Sequence, residues 1–145
     1  SDTGTSQFQF QNGYGVYFDK TNFPNSFLQF TDIRPASGDN PSGIYESLPT
    51  DEKLFKFNLK PGNSIDKLCN MSSGSCVTVD DLSITYMRPE PNAKIVTSGN
   101  PGSPLTKASI IIKSPGTTDV VYKCIFVTSV GQISVQNPNG TTCTP

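Results

Sequence analysis

The chain has 145 residues, of which 34% are hydrophobic and 16% are charged, and its formal net charge is -1. The length fits one domain, spanning residues 1–145, and the near balance of charge leaves no dense cationic face for nucleic acid. The absence of histidine removes the commonest general acid–base group and metal ligand near neutral pH.

The first half of the chain contains predicted strands separated by turn signals. Residues 1–12 are mostly polar and are predicted to form a lead-in segment. An Asn/Pro cluster at 22–25, a Gly/Pro/Asn-rich stretch at 34–43 and the sequence Lys-Pro-Gly-Asn at 60–63 all predict turns or loops. The strands predicted between these signals are residues 14–18, 27–31, 53–58, 65–69 and 77–79.

The second half begins with the clearest alternation in the chain, at residues 82–87. There Leu82, Ile84 and Tyr86 share one face, while the residues between them share the other. Prolines at 89 and 91 end this strand, because proline cannot donate to a central ladder. Further strands are predicted at 108–113, 120–128 and 133–135, with a loop at 98–104 and a polar tail at 136–145.

These elements together predict a mainly β fold. No window shows helical periodicity, and 12 glycines and 12 prolines suit long helices poorly. Strands that recur between turn signals are typical of a sheet-rich sandwich or meander.

The four cysteines, Cys69, Cys76, Cys124 and Cys143, indicate the compartment. An even number in a chain without histidine favours two disulfides and an oxidising environment. Of the three possible pairings we favour Cys69–Cys76, which closes a short loop, with Cys124–Cys143, which pins the tail to a strand. Four free thiols in a cytosolic protein are the alternative. A zinc site is disfavoured because there is no Cys-x-x-Cys spacing.

No pattern predicts a catalytic or cofactor-binding residue. Gly13-Tyr14-Gly15 resembles the start of a phosphate-binding loop, but Phe18 replaces the next glycine and no helical pattern follows. Asp80 and Asp81 are adjacent, so on a strand they would face opposite sides and could not act as a paired acid and base. Asp51 and Glu52 are poor candidates for the same reason. No histidine is available to activate a serine, and nothing marks out a Ser/Lys pair.

The acidic loop from Asp32 to Glu46, which includes Asp39 and Asn40, is the candidate for a metal ion. Its oxygens could bind calcium, but their spacing differs from that of an EF-hand. We favour a solvated loop with Asx-type turns, and therefore predict no metal site. The triplets that begin at Asn70 and Asn139 match the N-glycosylation pattern, which arises often by chance in such a composition.

Short motifs occur in a recognisable order between residues 12 and 135. They are GYGVYFD from Gly13, FLQFTD from Phe27, GIYE from Gly43, DEKL from Asp51, LSITYMRP from Leu82, ASIII from Ala108 and VGQISV from Val130. In this order they resemble the globular domains of prepilin-like proteins, namely minor type IV pilins and the H-type minor pseudopilins of type II secretion. The GYGVYFD opening is most similar to versions from candidate-phyla bacteria.

The resemblance implies a β-rich pilin head, which in the full-length protein is α+β because an N-terminal hydrophobic helix carries it. Neither that helix nor a signal peptide occurs in these residues, and no segment approaches the ~20 apolar residues that span a bilayer. The resemblance therefore implies that the helix and its prepilin-peptidase site precede Ser1. Contact with the membrane would be made only through that helix.

The implied function is that of a structural subunit of a type IV pilus-like filament or type II secretion pseudopilus. Such filaments serve attachment, motility, DNA uptake or secretion. The implied partners are other pilin subunits and the inner-membrane assembly machinery. The subunit would be periplasmic or membrane-anchored before assembly and extracellular afterwards. The loop from Asp32 to Tyr45 departs from the family pattern through Pro35 and Pro41, which weakens any inherited calcium site.

A second hypothesis is a secreted or cell-surface β-sandwich that binds carbohydrate. Exposed Tyr14, Tyr17 and Tyr45 could stack on sugars, although core packing explains them as well. The lack of tryptophan argues weakly against this hypothesis. An enzyme is the third class, and no residue pattern favours it.

Overall fold

A computed structural model describes residues 13–32, 43–45, 54–87, 91–138 and 143. Every regular element in these residues is a β-strand, so the predicted mainly β class is confirmed. No helix in the described residues is long and apolar enough to cross a membrane. The strands are β1 Gly13–Asp19, β2 Ser26–Asp32, β3 Leu54–Asn58, β4 Ser64–Asn70, β5 Val77–Val79, β6 Asp81–Met87, β7 Ala93–Val96, β8 Lys107–Pro115, β9 Val120–Thr128 and β10 Ile133–Gln136.

The strands form two antiparallel sheets of five. Sheet A has the order β3-β2-β1-β6-β7, and sheet B has the order β10-β9-β8-β4-β5. In sheet A the central strand is β1, which pairs along its whole length with β6 and through Gly13 to Tyr17 with β2. In sheet B the central strand is β8, whose nine residues all pair with β9.

The main core lies between the two sheets. Val16 of β1 pairs with Ile84 of β6, and Phe18 pairs with Leu82, so these four side chains share the inner face of sheet A. They pack with inner-face residues of sheet B in one cluster that includes Ile65, Leu68, Ala108, Ile110 and Val127. The two sheets therefore fill each other's hydrophobic faces without a helical layer.

The outer face of sheet A is also buried. Alternation along β6 correctly predicts the inner position of Leu82 and Ile84, but Ser83 and Thr85 on the opposite face are buried too. Tyr45 lies over this face, where its backbone N–H donates to Ser83 Oγ at 3.1 Å and its ring lies 5.6 Å from that of Phe30. The polar residues of β6 therefore do not mark a solvent-exposed face of the sheet.

A second hydrophobic cluster covers the outer face of sheet B and contains Cys69 and both cysteines of the second disulfide, whereas Cys76 is exposed. The pairs are Cys69–Cys76 and Cys124–Cys143, with Cα–Cα distances of 5.0 and 5.8 Å, which is the favoured pairing from sequence. Cys143 packs there with residues of β4, β8 and β9 and with the turn after β4; the other members are Cys69, Met71, Ile111, Cys124 and Phe126. The second disulfide therefore fixes residue 143 against β9.

The observed strands differ from the predicted ones mainly at β7. This four-residue edge strand was not predicted, because it is short and lies between a proline cluster and a Gly/Pro loop. The lead-in at 1–12, nearly all of the loop at 34–43 and most of the tail at 136–145 lie outside the described residues.

Candidate functional site

Three side chains form an acidic cluster on the outer face of sheet A: Tyr17, Asp19 and Asp81. Asp19 and Asp81 are directly opposite each other across β1 and β6, and both are buried. The hydroxyl oxygen of Tyr17 lies 3.1 Å from Asp19 Oδ2 and 3.3 Å from Asp81 Oδ2. One phenol therefore bridges two carboxylates that are 62 positions apart in the chain.

The two carboxylates are also hydrogen-bonded to the turns that flank them. Asp19 Oδ1 accepts from the backbone N–H groups of Thr21 and Asn22, both at 3.0 Å, and Oδ2 accepts from Asn22 Nδ2 at 2.7 Å. Asp81 Oδ1 accepts from the N–H of Ser98 at 2.9 Å and from its hydroxyl at 2.8 Å. The cluster thus ties the β1–β2 turn and the segment after β7 to the sheet.

The pKa shifts in the cluster do not suit acid–base catalysis near neutral pH. Burial raises the pKa of Asp19, but hydrogen bonds from Asn22, Tyr17 and Thr21 outweigh it, so that the pKa lies below its usual 3.8. Burial, followed by the charges of Asp81 and Asp19, raises the pKa of Tyr17 well above its usual value. A catalytic acid or base has a pKa near the working pH, and both shifts lead away from it. We interpret the cluster as a structural tie.

Of the acidic residues singled out from sequence, the structure describes Asp32, Asp80 and Asp81. Asp80 lies in the bend before β6 and is exposed, whereas Asp81 is the first residue of β6 and is buried, so the adjacent pair faces different environments. Asp32 is buried and accepts a hydrogen bond from the N–H of Gly43. Asp51, Glu52 and the loop's other acidic residues lie outside the described residues, and the described part holds no group of three metal-ligating side chains.

The Gly13-Tyr14-Gly15 motif lies inside central strand β1 instead of in a loop before a helix. A Cβ atom added at Gly15 would lie 2.7 Å from Thr85 Cγ2, 2.8 Å from the carbonyl oxygen of Ile84 and 2.8 Å from Phe30 Cζ. Gly15 therefore allows Phe30 and Thr85 to close over β1. Of the two glycosylation triplets, only that of Asn70 is described, and Asn70 Oδ1 accepts from the N–H of Ser72 at 2.9 Å.

The three tyrosines proposed for sugar stacking do not form an open platform. The rings of Tyr17 and Tyr45 lie 4.6 Å apart and are only partly exposed. Tyr14 is 38% exposed, on the opposite face of β1 from Tyr17. Stacking on a sugar requires a free aromatic face, and two of these three rings pack on each other.

Exposed apolar side chains on two edge strands form a different kind of candidate site. On β3, Phe55 is 62% exposed and Phe57 is 44% exposed; on β10, Ile133 and Val135 are 62% and 64% exposed. We call these pairs the β3 strip and the β10 strip. Large side chains of this kind, placed two residues apart on one face of a strand, are typical of contact surfaces.

Each strip continues the inner face of its sheet. The ring of Phe57 stacks on Phe27 at 5.4 Å, and Phe27 stacks on Phe18 at 5.4 Å, so a row of rings runs from the core to the edge. On the other sheet Ile133 and Val135 pair with Val127 and Ile125. The two strips lie on the faces that the sheets turn towards each other, but their side chains are exposed. The opposite sheet therefore does not extend far enough to cover either strip. The alternation at 54–57 and 133–135 is visible in the sequence, but the overlap of the sheets is not.

Comparisons of the chain with protein-family models, with curated proteins and with solved structures find no match. The function is therefore argued from the residues and their geometry. In the described part of the molecule these offer contact surfaces and structural ties.

Proposed function

We propose that this chain is the extracytoplasmic head of a structural subunit in a type IV pilus-like filament or type II secretion pseudopilus, as a minor pilin or minor pseudopilin. The observation that carries the proposal is the pair of apolar strips on β3 and β10. Burying such side chains against another subunit stabilises an assembly by the hydrophobic effect. The order of motifs from Gly13 to Val135 supports the same class of protein.

The two disulfides support an extracytoplasmic location. Disulfides persist in oxidising compartments and are rare in the cytosol. Both pairs are formed here, and neither spacing nor composition favours a catalytic redox motif. A filament subunit passes through the periplasm and then remains at the cell surface, and disulfides form in both environments.

The position of β1 suits a head carried on an N-terminal helix. β1 is the first described strand and the centre of sheet A, where it is paired on both sides. A pulling force that arrives through a preceding helix would enter the sheet at this strand. Both neighbouring ladders would then share the load.

The small net charge suits contacts that are mainly apolar. With a formal charge of -1, the chain has little long-range electrostatic attraction for a partner. An exposed aromatic side chain can bury up to about 150–250 Å². In the proposal the β3 strip contacts one neighbouring pilin subunit and the β10 strip another. The inner-membrane assembly machinery handles the subunit before it enters the filament.

The test uses the full-length gene in its host, with paired substitutions in each strip. We expect Phe55→Ser with Phe57→Ser, and Ile133→Ser with Val135→Ser, to reduce the amount of subunit in sheared surface filaments by roughly tenfold or more. The cell-associated amount should remain unchanged, because all four side chains are exposed.

Val120→Ser with Val121→Ser is the matched control, since these valines are exposed and lie outside both strips. This control should assemble like the wild type. Normal assembly of both strip variants would contradict the assigned contacts.

A further inference from the structure

The two disulfides differ in their access to solvent. Cys124 is fully buried and Cys143 is 5% exposed, so both ends of that bond lie inside the cluster on the outer face of sheet B. In the other disulfide Cys69 is fully buried, but Cys76 is exposed. A thiolate must reach a sulfur atom to break a disulfide, so access favours attack at Cys76.

The strand that follows Cys76 has few other attachments. β5 pairs with β4 through three residues, Val77, Thr78 and Val79, and only Val79 packs against the core. Residues 72–78 are all exposed. In the described structure β5 is therefore held by a three-residue ladder, one partly buried valine and the disulfide.

The other end of the loop is fixed independently of the disulfide. The N–H of Met71 donates to the carbonyl of Lys107 at 2.9 Å, and the N–H of Thr106 donates to Ser72 Oγ at 3.0 Å. Met71 is buried, and β4 pairs with β8 up to Asn70. Breaking the disulfide would thus leave β4 in place and loosen only the segment from Ser73 to Val79.

We propose that Cys69–Cys76 is a thiol–disulfide exchange site, and that its reduction releases β5 from the edge of sheet B while the sandwich stays folded. Its reaction partner is a dithiol, either a small molecule or the reduced active site of a dithiol oxidoreductase. The proposal does not depend on the filament function. Release of β5 would free the backbone edge of β4 at Leu68 to Asn70 for pairing with another strand.

The exchange takes place in two steps. A thiolate of the dithiol attacks Cys76 Sγ, forms a mixed disulfide and displaces Cys69 as a thiolate, which takes up a proton. The second thiolate of the dithiol then attacks the reagent's other sulfur atom, which is bonded to Cys76 in the mixed disulfide. This displaces Cys76 as a thiolate, which also takes up a proton. Two electrons and two protons pass to the protein in total, and the dithiol becomes a disulfide.

The test is timed reduction of the oxidised protein with dithiothreitol under native conditions. Samples are quenched with N-ethylmaleimide and mapped by mass spectrometry. We expect Cys69 and Cys76 to be labelled roughly tenfold faster, or more, than Cys124 and Cys143. Equal rates, or faster labelling of Cys124 and Cys143, would overturn the proposal.

Hydrogen exchange provides the second measurement, on protein in which only the first disulfide is reduced. Amides of residues 73–79 should exchange faster, while amides of β8 and β9 keep their protection. A Cys69→Ser, Cys76→Ser double variant should show the same pattern without any reductant. Unchanged protection at 73–79 in both samples, or loss of protection throughout both sheets, would show that β5 is not released as a local unit.

Discussion

Gly15 shows how one residue sets the spacing of a sheet face. Its Cα lies under Phe30 and beside Thr85, with no room for a methyl group. We predict that Gly15→Ala lowers the free energy of unfolding by about 1–3 kcal/mol, because an overpacked site must displace its neighbours. Urea-induced unfolding measures the change.

Gly99→Ala is the matched control for that substitution. A Cβ atom at Gly99 would meet nothing within 4 Å, and its backbone is not in the left-handed region. This variant should be neutral or slightly stabilising, since alanine restricts the unfolded chain more than glycine does. If both alanines had the same effect, the close packing over β1 would be refuted.

Tyr17 is predicted to stabilise the fold through its hydroxyl group. Tyr17→Phe removes the hydroxyl group that lies within hydrogen-bond distance of both Asp19 and Asp81. We expect a loss of about 1–2 kcal/mol in urea unfolding, because two buried carboxylates lose a donor. Tyr86→Phe is the control. The Tyr86 hydroxyl is buried without a hydrogen-bond partner among the described residues, so its removal should be neutral or stabilising.

The loss of unfolding free energy at acid pH should depend on Asp19. Its pKa in the folded state lies below the ordinary 3.8, so its stabilising contribution is present above that value. The contribution is lost as the pH falls through the folded-state pKa. We expect Asp19→Asn to be less stable than the wild type at pH 7 and to lose less stability between pH 5 and pH 2. The exposed residue Asp80 provides the control, Asp80→Asn. If the unfolding free energy fell equally with pH in Asp19→Asn, Asp80→Asn and the wild type, this role would be contradicted.

The residue-level features differ in how far sequence could predict them. The pairing of Cys69 with Cys76 follows from a spacing that suits a short loop, and it was predicted. The bridge between Tyr17 and Asp81 spans 64 positions. It depends on the register of β1 against β6, which no local pattern specifies.

At the scale of elements, most strands follow from alternation and turn chemistry. β6 was predicted within one residue because its apolar and polar side chains alternate between proline and aspartate boundaries. The order of strands in each sheet could not be predicted. β1 neighbours β6, and β4 neighbours β8, through contacts between segments that are far apart in sequence. The strips on β3 and β10 depend on that order, so they were found only in the structure.

The Cys124–Cys143 disulfide is expected to stabilise the fold by linking Cys143 to β9. Its sequence separation of 19 residues predicts roughly 3 kcal/mol from the restricted unfolded chain, on the loop-entropy model. We expect Cys124→Ala with Cys143→Ala to reduce the unfolding free energy in urea by about that amount. An unchanged midpoint would show that residue 143 contributes little to the outer cluster.

At the scale of the whole molecule, the two sheets complete a hydrophobic core and leave apolar side chains at two edges. A hydrophobic core of this kind allows a domain to fold independently. Exposed strips at its edges favour contact with other proteins over chemistry within a pocket. Among the described residues, the buried polar cluster of Tyr17, Asp19 and Asp81 instead ties β1, β6 and their turns together.

The most direct test of the proposed function is mass spectrometry of filaments sheared from the surface of the host. The proposal predicts that peptides of this chain are present. It also predicts that the mature protein continues upstream of Ser1 into an apolar segment of about 20 residues with a processed N-terminus. Recovery of the chain only as a free protein in the medium, or with no apolar segment attached, would contradict the filament-subunit proposal.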